Sequence, residues 1–148
     1  MGTTNFDAVR AASLVGALTG NVVGNVSGQI TAYPTAARTA TAAPGGTTGV
    51  IADAGMLQFV TVTSDDANKV ITLPTPTPGT IVILRNGATG YELRSSAPAT
   101  VAINGGSGAN AESAIAANSM VIAICTSATT WQAIGIAAAT LAGVEAAA

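Results

Sequence analysis

The chain contains no histidine, one lysine (Lys69) and one cysteine (Cys125), and only 8% of its 148 residues are charged and 3% aromatic. Serine and threonine hydroxyls are plentiful, but without an imidazole to act as general base, and with Lys69 as the sole amine of useful pKa, no nucleophile has a partner to activate it. The sequence therefore predicts no enzyme and no catalytic residues. A lone cysteine excludes an intrachain disulfide, and the apolar run Met120-Val121-Ile122-Ala123-Ile124 before it predicts a buried thiol. The basic residues Arg10, Arg38, Lys69, Arg85 and Arg94 are scattered in a chain of net charge −2, so no cationic stripe exists to neutralise phosphates, and no nucleic-acid partner is expected. A soluble monomer ordinarily carries a charged surface. A chain this poor in charge is expected to spend much of its surface in contacts with other subunits.

What the sequence has in abundance is alanine, threonine, glycine and valine, arranged in one place with strict regularity. Five consecutive tetrapeptides, Ser13-Leu14-Val15-Gly16, Ala17-Leu18-Thr19-Gly20, Asn21-Val22-Val23-Gly24, Asn25-Val26-Ser27-Gly28 and Gln29-Ile30-Thr31-Ala32, repeat x-apolar-x-small. Four is a multiple of the two-residue strand period, so in an extended chain Leu14, Leu18, Val22, Val26 and Ile30 fall on one face with the small residues. The opposite face is largely polar. One strand cannot bury such a row by itself, and the glycines leave room for another backbone to approach, which predicts a segment that packs against copies of itself. Those five apolar residues are the candidate oligomer interface. Extended, five tetrads reach roughly 65 Å, enough for an anchoring arm and short for a long fibre shaft.

The glycines at 16, 20, 24 and 28 also satisfy the G-x-x-x-G pattern of paired transmembrane helices. Against that, Asn21, Asn25, Gln29 and several hydroxyls would have to enter hydrocarbon, and each glycine costs a water-exposed helix about 1 kcal/mol relative to alanine. No membrane span is expected, nor does the segment from Met1 to Asp7 show the basic region and apolar core of a secretion signal.

Length fits about one domain, and a globule of this size buries roughly 70% of its unfolded surface. Residues 1–32 read as an N-terminal arm, 33–56 as an extended linker rich in Thr, Ala, Pro and Gly, 57–136 as a β domain and 137–148 as an Ala-rich tail. Within the β domain, short runs at 57–63, 69–73, 80–85, 91–94, 100–103, 119–126 and 130–136 are separated by turn chemistry at Pro74 to Gly79, Asn86-Gly87 and Asn104-Gly105-Gly106. Residues 109–118 read as a loop with a helical turn. Seven short strands without intervening helices predict a mainly β fold, a small antiparallel sandwich or barrel of jelly-roll type. The acidic group Asp65-Asp66 with Asn68 reads as a turn and not a metal site, and Asn104-Gly105-Gly106-Ser107-Gly108 as a flexible turn lacking the lysine of a phosphate loop, so no cofactor is expected.

The tetrads Asn21-Val22-Val23-Gly24-Asn25-Val26-Ser27-Gly28 resemble the Gly-Asn-Val repeats of tail-fibre and head-fibre proteins of tailed bacteriophages. Val82 to Ala88, Ile103 to Gly106, Ala109-Asn110-Ala111 and Cys125 to Trp131 are similar to a β module of phage virion proteins. The resemblance implies a non-enzymatic, usually trimeric virion component that decorates the capsid or forms a short head fibre. It implies as partners the chain itself and the major capsid protein or another virion protein. A tail-fibre or tip adhesin that binds a host-surface glycan is the alternative it leaves.

Overall fold

The structure is a computed structural model that describes residues 35–42 and 46–137. Nine strands follow in chain order: β1 (Thr35–Thr39), β2 (Leu57–Thr63), β3 (Val70–Thr72), β4 (Ile81–Asn86), β5 (Tyr91–Arg94), β6 (Ala102–Ile103), β7 (Ser113–Ile115), β8 (Ser119–Ser127) and β9 (Thr130–Ala137). A 3₁₀ turn, Thr47–Gly49, lies in the connection from β1 to β2. The fold is mainly β, as expected.

The strand pairing resembles a β-solenoid, not the antiparallel sandwich or barrel that the strand spacing suggested. β1, β2 and β4 lie parallel in one sheet; Thr35 pairs with Phe59 and Phe59 with Ile83, a step of 24 residues each time. β3 and β5 lie parallel in a second sheet, and Val50 bridges Thr72, which itself pairs with Arg94, a step of 22 residues each time. The chain thus climbs by a coil of 22–24 residues, laying one strand in each sheet per turn. Gly55 and Gly79, one coil apart, both hold positive φ (122° and 91°) two residues before a strand begins, a backbone shape that glycine adopts without penalty. The rows of Pro74, Pro76 and Pro78 before Gly79 stiffen the second of these corners without needing backbone donors.

After the third coil antiparallel pairs enter and close the stack, with β6 lying parallel to β9. β8 pairs with β4 and β9 with β8, while β7 pairs with β5. The larger sheet therefore runs β1-β2-β4-β8-β9-β6 and the smaller β3-β5-β7. Between the sheets lies one apolar core, including Ile51, Val60, Val62, Ile71, Leu73, Val82, Leu84, Tyr91, Leu93, Val121 and Trp131. Each of the larger side chains there contributes about 1.5–3 kcal/mol by leaving water.

Buried polar side chains tie the corners. Asn86 Nδ2 donates to the carbonyls of Thr89 and Ala116, and its Oδ1 accepts from the Ser119 amide, each at 2.9 Å. Asn104, with φ 51°, and Gly105, with φ 84°, form the tip of a two-residue hairpin, in keeping with the mirror-image turns that Asn-Gly favours. The expected turn is there, but it is anchored: Asn104 Nδ2 donates to the Ala133 carbonyl at 2.9 Å and its Oδ1 accepts the Ala133 amide at 2.8 Å.

Two stretches differ from the sequence expectation. Residues 35–39, inside the stretch read as linker, form the first strand of the larger sheet, and Ser113–Ile115 pairs with β5 where a loop with a helical turn was expected. The arm at 1–32 and the tail from 138 onward lie outside the described residues.

Candidate subunit interface

Strand alternation sorts the larger sheet into an inner and an outer face. Gln58, Val60 and Val62 of β2, Val82, Leu84 and Asn86 of β4, and Ser119, Val121, Ala123 and Cys125 of β8 are buried against the core. Their neighbours in sequence point away from it, and on this sheet most of those neighbours are apolar too. Registration places them in three rows across the strands. The central row is Phe59, Ile83, Ile122 and Ile134; one flank is Leu57, Ile81, Ile124 and Gln132; the other is Thr61, Arg85, Met120 and Ile136.

Much of this surface meets water in the single chain. Ile134 is 63% exposed, Ile124 38%, Phe59 38% and Met120 37%. Arg85 is the one charged residue in the three rows, and no carboxylate stands among them. The rows extend over roughly 19 Å across four strands and 17 Å along them, about 320 Å² in projection, the size of the largest apolar patch on an ordinary soluble monomer, which is often functional.

The smaller sheet and its adjoining turn carry most of the charge among the described residues. On the smaller sheet Glu92 and Arg94 alternate with the buried Tyr91 and Leu93. Arg94 forms an ion pair with Glu112 at 2.9 Å and donates to the Ala109 carbonyl at 2.7 Å. Burial, helped by the nearby Glu112 charge, pushes the Glu92 carboxyl above its ordinary pKa. In the adjoining turn Lys69 pairs with Asp65 at 2.6 Å, a hydrogen bond that holds the Asp65 carboxyl below its usual range, and Asp66 accepts from the Asn68 amide at 2.9 Å. The acidic residues of this turn are thus occupied in turn geometry. The shallow cleft by Asp53 and Gln58 is similarly committed, since Asp53 accepts the Thr75 amide at 2.8 Å and Gln58 donates to the Gly55 carbonyl at 3.3 Å. Cys125 is buried, its thiol raised in pKa by that burial and donating to the Ser127 carbonyl.

The candidate interface residues drawn from the sequence, Leu14, Leu18, Val22, Val26 and Ile30, lie outside the described residues. The outer rows were not singled out from the sequence, although a signal was present. Ile81-Val82-Ile83-Leu84 and Met120-Val121-Ile122-Ala123-Ile124 are apolar at every position, and an uninterrupted apolar strand has two faces that both favour burial. Among the described residues no helix is long and apolar enough to cross a membrane. Comparison of the chain with protein-family models, curated proteins and solved structures yields no match.

Proposed function

We propose that this chain is a non-enzymatic structural protein of a bacteriophage virion, a homotrimer on the capsid surface that decorates or stabilises the shell as a cement or short head fibre. The observation that carries the structural-assembly part is the apolar outer face of the larger sheet, set opposite a charged smaller sheet in a chain with only 8% charged residues. The virion part rests on the Gly-Asn-Val tetrads and the motifs around Asn86-Gly87 and Asn104-Gly105. Leu14, Leu18, Val22, Val26 and Ile30 would join the subunits, and the partner beyond the trimer would be the major capsid protein or another virion protein. Adhesion in this scheme is cumulative: apolar burial returns about 25 cal/mol per Å², and repetition over a lattice turns modest contacts into stable attachment.

The second reading is a tail-fibre or tip adhesin for a host-surface glycan. It draws on the loops from Arg85 to Gly90 and from Ile103 to Asn110, in which Gly87, Ala88 and Asn104 to Ser107 are exposed, as recognition loops are. Gold-labelled antibody against the protein on intact particles, viewed by electron microscopy, separates the two. Label over the capsid lattice is expected, and label confined to tail tips would replace the capsid reading with the adhesin.

A further inference from the structure

We infer that the cleft between the corners at Gly55 and Gly79 binds a neutral sugar ring, free or as one unit of a glycan. The inference goes beyond the virion reading and does not depend on it, and its residues are not those of the loops on which the adhesin reading draws.

The cleft measures about 240 Å³, and its walls come from two successive coils, Asp53 to Gln58 on one side and Pro74 to Thr80 on the other. The walls are tied to each other and to the larger sheet. The Thr75 amide donates to Asp53 Oδ1 at 2.8 Å, the Ile81 amide to the Met56 carbonyl at 2.7 Å and the Gly79 amide to the Cys125 carbonyl at 2.9 Å. The site is thus formed before a ligand arrives, which lowers the cost of binding. Its volume far exceeds the roughly 30 Å³ of one water and falls below the ~300 Å³ at which drug-sized ligands begin to fit, so it suits a single small ring.

The bonds that fix this geometry use one oxygen of Asp53 and the amide nitrogen of Gln58. Two polar atoms in the lining stay unpaired. Gln58 is 2% exposed and Thr80 5%, yet Gln58 Oε1 and Thr80 Oγ1 have no hydrogen-bond partner among the described residues, and neither atom is sealed from the surface. Buried polar atoms are ordinarily paired, so two of them lining one cleft point to a ligand that serves both.

The lining selects what that ligand is. No lysine or arginine stands among the described lining residues, so an anion finds no counter-charge. An ammonium group would meet only neutral groups at Gln58 and Thr80, because the one carboxylate, Asp53, is exposed, where pairing contributes little. A hydroxyl donates and accepts, so it suits the acceptor of Gln58 and the hydroxyl of Thr80 without a charge to desolvate. The second oxygen of Asp53 and the hydroxyls of Thr75 and Thr77 suit further hydroxyls of the same ring. Met56, 63% exposed, supplies apolar surface for the ring carbons, and its Cε lies so close to Gly79 that a Cβ there would stand 2.9 Å away.

The test is a titration of the isotope-labelled full chain, followed by backbone amide shifts, with glucose, galactose, mannose and N-acetylglucosamine, and with methylammonium chloride and sodium acetate as charged probes. Saturable shifts at Gly55, Gln58 and Thr75 to Thr80 are expected with at least one sugar, at a Kd of about 1 mM or weaker, and with neither salt. Gln58→Met and Thr80→Val each remove one unpaired oxygen at nearly constant volume and should weaken sugar binding about fivefold, whereas Thr61→Val, on the outer face of the strand that carries Gln58, should not. Trp131 fluorescence checks that each variant is folded, and either one alone suffices for the comparison. Absence of saturable cleft shifts with every sugar would overturn the inference. So would shifts with methylammonium alone, sugar shifts confined to Arg85–Gly90 or Ile103–Asn110, or an affinity unchanged in the folded variants. Antibody labelling reads virion location separately, so sugar binding at this cleft with no label on particles would keep the site and discard the proposed function.

Discussion

Replacing Asn86 with alanine removes three hydrogen bonds at one stroke, and the structure says what each loss leaves behind. The carbonyls of Thr89 and Ala116 lose their donor and the Ser119 amide loses its acceptor, all at a residue that is 4% exposed. At about 1 kcal/mol for each neutral bond, the variant should lose about 3 kcal/mol. Trp131 is the only tryptophan and is fully buried, so its fluorescence reports unfolding without a label. With an m value of about 1.5 kcal/mol/M, the urea midpoint should fall by about 2 M when the proteins are compared at equal concentration. Asn86→Asp sharpens the test because it keeps the shape and the acceptor for Ser119 while turning an oxygen toward both carbonyls. Burial and those carbonyls disfavour its charged form, so the native pKa of the introduced acid lies above its unfolded value. Its stability is then greatest below the unfolded pKa and is lost as pH rises through the native one. The deficit of Asn86→Asp should accordingly match or exceed that of alanine at neutral pH and shrink on acidification. A loss below about 1 kcal/mol for Asn86→Ala would show that the three backbone groups find other partners, refuting the corner clamp.

Three further outcomes follow from the coil geometry and the burial pattern. A Cβ on Gly90 would stand 2.5 Å from the Ile115 carbonyl oxygen, a backbone atom, whereas one on Gly87 would meet nothing within 4 Å. Gly90→Ala should therefore lose about 2 kcal/mol in urea unfolding and Gly87→Ala should not be destabilised, and equal behaviour would contradict the close approach of β5 and β7. Because burial, and secondarily Glu112, raises the Glu92 pKa, the wild type should lose stability as pH climbs from the ordinary glutamate value of 4.5 through the raised native one. Glu92→Gln should remove that slope, being more stable than wild type at neutral pH with the gap closing near about pH 3; parallel pH profiles would refute the assignment. Cys125, 1% exposed and raised in pKa by burial, should react with a thiol reagent only as fast as the chain opens, and immediate labelling of the native protein would place it elsewhere.

The local elements were legible in the sequence to the extent that local chemistry decides them. β2 occupies the run read as a strand from Leu57 to Thr63, and Asn104-Gly105 turns the chain where Asn-Gly is expected to. β1 and β7 were not legible for a physical reason. Thr35-Ala36-Ala37-Arg38-Thr39 and Ser113-Ala114-Ile115 have little intrinsic strand preference, and become strands because β2 and β5 offer them an edge to pair with. The choice between sandwich and solenoid escaped because short strands separated by turns serve both architectures. What distinguishes them is the step between equivalent positions, visible in retrospect as Gly55 and Gly79, 24 residues apart before β2 and β4. The tetrads place the sequence-based interface at Leu14 through Ile30, while the outer rows lie in strands whose unbroken apolar character fits a core as well as an interface. A run that is apolar at every position serves two faces, and only the pairing reveals which face is buried and which, with Ile124 and Met120, stays partly exposed among the described residues.

Self-association is the decisive property, because every step of the proposed virion function is a contact between copies or between the assembly and a shell. Native mass spectrometry of the full-length wild-type protein measures it directly. A dominant trimer is the predicted result, and a monomer that persists as concentration rises would contradict the account at its root.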